Sequence, residues 1–268
     1  TALSVSAKSV ALKGYAIGTR VFANGFKSVD DAERMARLFE ALSTSTGRGA
    51  ALRPRVLAAL ADAYSQQGRH QEALALLEKG LGSPATSPQA RAELGHALGK
   101  TWMNLGKPNE AALAMDRAII DAVAGFGADT TMTLAIVGER VWVDYALGGP
   151  ARALPGQRRF VAQVERLGED NPRLLIDALH NLGAYLSGAE QDQEALAIAR
   201  RTSALAEKYL PEDSPNRINP MISLASKLND AKHEDEALPI LDKLRPVVDP
   251  DGPPEKAPAS AVFLNITY

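Results

Sequence analysis

Small residues recur along the chain in a regular pattern of apolar and polar positions. The series consists of Ala32, Ala73, Ala111, Ala153, Ala195 and Ala237. From Ala111 onward its members follow one another at a constant interval of 42 positions, and the earlier intervals are slightly shorter. A recurrence of this length is typical of proteins that stack one helical hairpin per repeat.

The residues around these alanines share a second pattern. A leucine precedes the alanine by thirteen positions and a bulky residue follows that leucine by four, so both lie on one helical face. A small residue directly after the leucine would let a neighbouring helix approach closely. The leucines are Leu60, Leu98, Leu182 and Leu224, the small residues are Ala61, Gly99, Gly183 and Ala225, and the bulky residues are Tyr64, Trp102, Leu186 and Leu228.

Turn and cap residues divide each unit into helix A, a tight turn and helix B. Gly68 and Gly106 fall between the two helices, where a left-handed residue is needed. A capping residue stands before a proline, which suits the first helical position, at Ser87-Pro88, Asn171-Pro172 and Ser214-Pro215. Asn109 and Asp192 are predicted to cap B helices. Strand patterns are nearly absent, so the predicted fold class is all-α.

This frame of Leu, Gly or Ala, a bulky residue and then Ala resembles the tetratricopeptide repeat. The common form of that repeat has a period of roughly 34 residues. The longer interval here resembles the variety found in kinesin light chains and bacterial signalling proteins, as do the links Gly168–Pro172 and Leu210–Pro215. The resemblance implies a right-handed α-α superhelix of about six helix pairs, with A helices lining a concave groove. Its predicted repeats are 54–91, 92–133, 134–175, 176–217 and 218–258, within a repeat region of 51–258.

The third repeat and the two ends depart from this pattern. Arg140 and Asp144 stand where Leu and a bulky residue are expected, although a one-residue slip to Val141 and Tyr145 would restore helix A. Pro155 is predicted to interrupt helix B. Residues 1–50 are expected to form a degenerate helix pair and linker, and 259–268 to begin a further helix that is truncated. An apolar end there would belong to a longer protein or favour self-association.

Composition narrows the chemistry. The 268 residues include no cysteine, which excludes thiolate metal sites and thiol catalysis. A balance of 30 basic and 32 acidic residues predicts no nucleic-acid partner, and the absence of a long apolar run predicts no membrane insertion. The four histidines lack metal-ligand spacing, so no metal or cofactor is predicted. A cytoplasmic location is favoured, and an exported one stays open.

The resemblance also indicates which residues face the groove. Helix A positions two, five, nine and twelve of the middle repeats combine aromatic, imidazole and charged side chains, which suit peptide binding. The predicted partner-binding residues are Glu93, His96, Lys100, Met103, Trp142, Tyr145, Asp177, His180 and the adjacent Asn181. An alternative for Trp142 is packing in the core.

These observations favour a non-catalytic scaffold that binds a protein, as a peptide or helix, in its concave groove. The alternative is a regulatory arm of a larger bacterial signalling protein, such as a kinase, a transcription regulator or a caspase-like protease, with its activity elsewhere. A third hypothesis, a helical enzyme using His96 and His180, has no supporting motif.

Overall fold

The computed structural model describes residues 34, 37, 47–82, 86–167 and 171–248, which form a succession of helices joined by short turns. The helices are α1 (Gly47–Gln66), α2 (His70–Leu81), α3 (Pro88–Asn104), α4 (Pro108–Phe126), α5 (Thr131–Glu165), α6 (Pro172–Gly188), α7 (Asp192–Tyr209), α8 (Pro215–Asp230) and α9 (Glu234–Val248). The described residues contain no strand. Nearly all of the predicted hairpin 1–50 and all of 259–268 lie outside the described residues.

The chain divides into two compact units between Val143 and Asp144, within α5. In the first unit α1 packs on α2 and α3, and α3 packs on α4. In the second unit α6 packs on α7 and α8, and α8 packs on α9. We call α1, α3, the arm of α5 before Gly148, α6 and α8 the A helices, and the helices that follow each of them the B helices.

The recurring alanines form the centre of the packing. Ala73, Ala111, Ala153, Ala195 and Ala237 are each 0% exposed. At Gly99, an added Cβ would lie 2.5 Å from Cγ of Met115 and 3.4 Å from the carbonyl oxygen of Ala111. The small residues therefore allow close contact between an A helix and its B helix, as predicted.

The third repeat is only partly as predicted. Val141 is 5% exposed and takes the apolar position, but Tyr145 is 41% exposed. The prediction that Pro155 interrupts helix B is wrong, because the helix continues through it to Glu165. Pro155 lies in the second turn of the arm that begins at Pro150, where it removes one helical hydrogen bond without ending the helix. The break lies instead at Gly148 and Gly149, and Gly149 has a φ of 69°.

The predicted caps are confirmed at two of the A helices. The side chain of Ser87 accepts a hydrogen bond from the amide of Ala90, and that of Asn171 accepts one from Leu174. Ser214 makes no such bond. The prediction for Asn109 and Asp192 is wrong, because both lie inside their helices.

The turns between A and B helices use left-handed residues. Gly68 and Gly106 have φ values of 76° and 68°, as predicted, whereas Glu190 and Lys232 adopt 59° and 61° without being glycine. A left-handed backbone costs a residue with a Cβ about 1–2 kcal/mol, and glycine avoids this cost. The two later turns therefore carry backbone strain that the earlier turns lack.

We expect Lys232→Gly to raise the free energy of unfolding by up to about 1 kcal/mol, since relief of strain exceeds the added freedom of the unfolded chain. Gly106→Ala should lower it by about 1 kcal/mol or more. Denaturant unfolding followed by circular dichroism measures both. Ala204→Gly, at an exposed position within α7, is the control and should lower stability by about 1 kcal/mol. A destabilised Lys232→Gly protein would contradict the strain argument.

Candidate functional site

Ion pairs join successive A helices in the first unit. Nε of Arg55 on α1 lies 2.7 Å from a carboxylate oxygen of Glu93 on α3, and Nζ of Lys100 lies 3.4 Å from Asp62. The side chain of Glu93 is only 8% exposed, so its charge is held in place by Arg55. Both pairs have the same separation along the chain as Ala73 and Ala111. Opposite charges therefore occupy equivalent positions in neighbouring repeats.

His96 faces the arm of α5 that belongs to the first unit. Its Nε2 lies 2.8 Å from Oε2 of Glu139, within ion-pair distance. Partial burial raises the pKa of Glu139, but the imidazole of His96 and the charge of Lys100 outweigh this effect and lower it overall. The carboxylate of Glu139 is therefore stabilised in its charged form.

The two remaining predicted residues of the first unit differ in exposure. Met103 is partly buried near the end of α3. Trp142 is 53% exposed, so the alternative that it packs in the core is wrong. An exposed indole offers a large apolar contact area with one hydrogen-bond donor.

Two tyrosines stack in the second unit. The rings of Tyr145 and Tyr185 have centroids 5.1 Å apart and an interplanar angle of 14°. Tyr185 is only 7% exposed, and burial together with the neighbouring Tyr145 raises its pKa. The buried ring of Tyr185 therefore packs against one face of the more exposed ring of Tyr145.

Polar residues of α6 share the second unit with these tyrosines. Loss of contact with water raises the pKa of the Asp177 carboxyl, against the opposing charges of Arg173 and His180. The same effect lowers the pKa of His180, against the charge of Asp177. Asn181 follows His180 and is exposed. The shifts at Asp177 and His180 therefore favour the neutral form of each group, whereas the shift at Glu139 favours its charged form.

Sequence reasoning missed several partners of the predicted residues. These partners are Arg55, Asp62, Glu139 and Tyr185. A search for opposite charges one repeat apart would have found the first two. The stacking of Tyr145 on Tyr185 has no comparable signal, because it depends on how α5 and α6 are placed.

Neither a metal site nor a membrane span is present in the part of the chain that the structure describes. No group of three or more His, Cys, Asp or Glu residues is arranged to hold a metal ion within residues 47–82, 86–167 and 171–248. Among the helices described, none is long and apolar enough to cross a bilayer.

Family models describing the tetratricopeptide repeat match residues 56–89 and 175–216. No curated protein matches the chain. A solved structure of kinesin-light-chain-type, nearly identical TPR-like repeats from Podosopora anserina is 22% identical, with a TM-score of 0.60, and the match covers 73% of this chain and 94% of that one.

A second solved structure, BtubC (BKLC) from P. vanneervenii, has a TM-score of 0.73 at 14% identity, and the match covers 87% of this chain and 96% of that chain. At identities this low the similarity shows the fold alone. The similarity of the two structures confirms the predicted fold class, an all-α superhelix of tetratricopeptide repeats. Together with the two family-model matches, these structures show that the chain contains tetratricopeptide repeats and has the tetratricopeptide superhelix fold.

Proposed function

We propose that this protein is a non-catalytic interaction scaffold whose A helices bind a partner protein, as an extended peptide or as a helix. The observation that carries the proposal is the exposure of two aromatic side chains on one A helix, the arm of α5 before Gly148. Trp142 is 53% exposed and Tyr145 is 41% exposed. Exposed large aromatic residues are enriched among the residues that dominate binding energy at protein interfaces.

Preorganisation supports this function in the first unit. The ion pairs of Glu93 with Arg55 and of Lys100 with Asp62 hold side chains of successive A helices in fixed positions. A partner that binds such a surface has fewer rotamers to immobilise, which reduces the entropic cost of association. In this proposal His96, Lys100, Met103 and Trp142 form the binding surface of the first unit, and the buried carboxylate of Glu93 positions the exposed Arg55 beside them.

The second unit offers a different set of contacts. Tyr145 is braced by the ring of Tyr185 at 5.1 Å, so an apolar side chain of the partner would meet a rigid platform. Asn181 is exposed and can both donate and accept hydrogen bonds from a peptide backbone. Asp177 and His180, one helical turn apart on α6, would add polar contacts to the partner.

We expect the combined substitution of Trp142, Tyr145 and His180 by alanine to weaken partner binding by at least about a hundredfold, since interface aromatics often contribute about 2 kcal/mol or more each. Peptides would be selected on the full-length chain from a displayed random library. Their dissociation constants would then be measured by fluorescence anisotropy, with circular dichroism as a check on helicity.

The matched control is Leu238→Ala, which removes an apolar side chain that is 40% exposed on the B helix α9. It should leave peptide binding unchanged. A triple variant that keeps its helicity and still binds the selected peptides with the original affinity would refute the assignment of the binding surface.

A further inference from the structure

The B helix α4 carries an exposed apolar stripe. Leu113 is 72% exposed, Ile120 is 69% exposed and Val123 is 44% exposed. Leu113 and Ile120 are seven residues apart, which places them two helical turns apart on one face. We call the face formed by Leu113, Ile120 and Val123 the α4 stripe. An apolar surface of this kind on a water-soluble helix is a mark of an interaction site.

The repeat itself does not require these residues. The positions of Leu113 and Ile120 hold only alanine or proline in the B helices of the next two repeats, and Val123 is replaced by glutamate. The equivalent residues are Pro155 and Ala197 for Leu113, Ala162 and Ala204 for Ile120, and Glu165 and Glu207 for Val123.

The two glutamates at the position of Val123 form ion pairs in the second unit. Glu165 pairs with Arg201 at 2.6 Å, and Glu207 pairs with Lys243 at 3.3 Å. In the second unit the face therefore carries ion pairs between successive B helices. α4 has Val123 at this position, so the α4 stripe replaces a charged position with an apolar one.

Two charged residues border the α4 stripe on one side. Glu110 and Arg117 are both exposed, and they too are seven residues apart. Neither has an ion-pair partner among the residues that the structure describes. They have opposite charges, and Arg117 lies between the levels of Leu113 and Ile120.

We propose that the α4 stripe is the interface for a second copy of this chain, packed with its α4 antiparallel about a two-fold axis beside Leu113. In such an antiparallel pair each side of a helix faces the same side of the other helix. The axis brings Glu110 of each copy opposite Arg117 of the other, and Leu113 against Leu113. Ile120 then packs on the first turn of the second α4. This charge complementarity selects a second copy over an unrelated partner.

The test begins with the molar mass of the full-length chain, measured by light scattering over a concentration series. A dimer that dissociates on dilution is expected. Leu113→Glu should raise the dimer dissociation constant at least about tenfold, because it places two carboxylates at the axis. Ala197→Glu, at the equivalent exposed position of α7, is the matched control and should not change dimerisation.

Charge exchange tests the orientation. Glu110→Arg alone and Arg117→Glu alone should each weaken the dimer, since they set like charges opposite each other. The double variant Glu110→Arg/Arg117→Glu should restore the dimer. Position 110 of each copy still lies opposite position 117 of the other, and the two positions again carry opposite charges. Leu113→Cys should form a disulfide between copies in this cysteine-free chain, whereas Ala197→Cys should not.

Three results would overturn the proposal. The first is a protein that stays monomeric up to about 1 mM, a range in which even weak association is visible. The second is a dimer that Leu113→Glu leaves intact while circular dichroism shows a folded chain. The third is a double charge variant that fails to recover dimerisation although it is folded.

Discussion

Replacement of Leu179 by alanine is expected to lower the free energy of unfolding of the second unit by about 2–5 kcal/mol. Leu179 is 0% exposed in α6, which packs against both α7 and α8. The substitution removes buried apolar surface, and rigid neighbouring helices can close the cavity only in part. The loss should therefore spread to the helices that touch α6.

Amide hydrogen exchange measures this effect helix by helix. In a repeat fold each hairpin depends mainly on its neighbours, so protection should fall most in α6, α7 and α8 and least in α1 and α2. Leu238→Ala is the control, because Leu238 is 40% exposed and its truncation removes much less buried surface than that of Leu179. Equal losses for the two variants would show that Leu179 is not a core residue.

Replacement of Ala195 by leucine should destabilise the second unit by about 1–3 kcal/mol or more through overpacking. Ala195 is 0% exposed, so its methyl group is enclosed by packed atoms. Three further carbon atoms at this position would have to displace those neighbours. Thermal and denaturant unfolding would both record the loss.

Ala197→Leu provides the matched comparison in the same helix. Ala197 is exposed, and alanine and leucine have similar helix propensities, so stability should change by less than about 0.5 kcal/mol. A large effect at Ala197 together with no effect at Ala195 would contradict the assignment of the recurring alanines to the helix contacts.

The second unit also contains ion pairs that repeat along its B helices. Arg158 pairs with Glu194 at 2.5 Å, and Arg200 pairs with Glu236 at 2.6 Å. The second pair follows the first at the same interval that separates successive recurring alanines. The carboxylates hold the pKa of each guanidinium above its usual range, and the hydrogen bond from Arg158 lowers the pKa of Glu194. Such exposed pairs contribute little to stability, about 0–1 kcal/mol each, but they repeat with the same register as the core.

The amino-acid pattern was sufficient to place the helices, their close contacts and most of their turns. Ala111 and Ala195 could be identified because every hairpin must bury the same face, so a small residue returns at the same position in each repeat. Gly68 and Gly106 could be identified because the turn requires a left-handed residue. Glu190 and Lys232 adopt the same left-handed conformation at a cost in backbone strain. Their residue types do not predict that conformation.

The helices that carry the proposed binding residues could be predicted from the sequence, but the contacts of these residues could not. The helical period assigns Glu93, His96 and Lys100 to one helix, but their partners on other helices depend on how far each hairpin is shifted against the next. The same shift leaves Trp142 exposed and brings Tyr145 onto Tyr185. Burial within a repeat is a local property that recurs and can therefore be recognised, whereas contacts between repeats are set by the stacking geometry and exist only once the chain is folded.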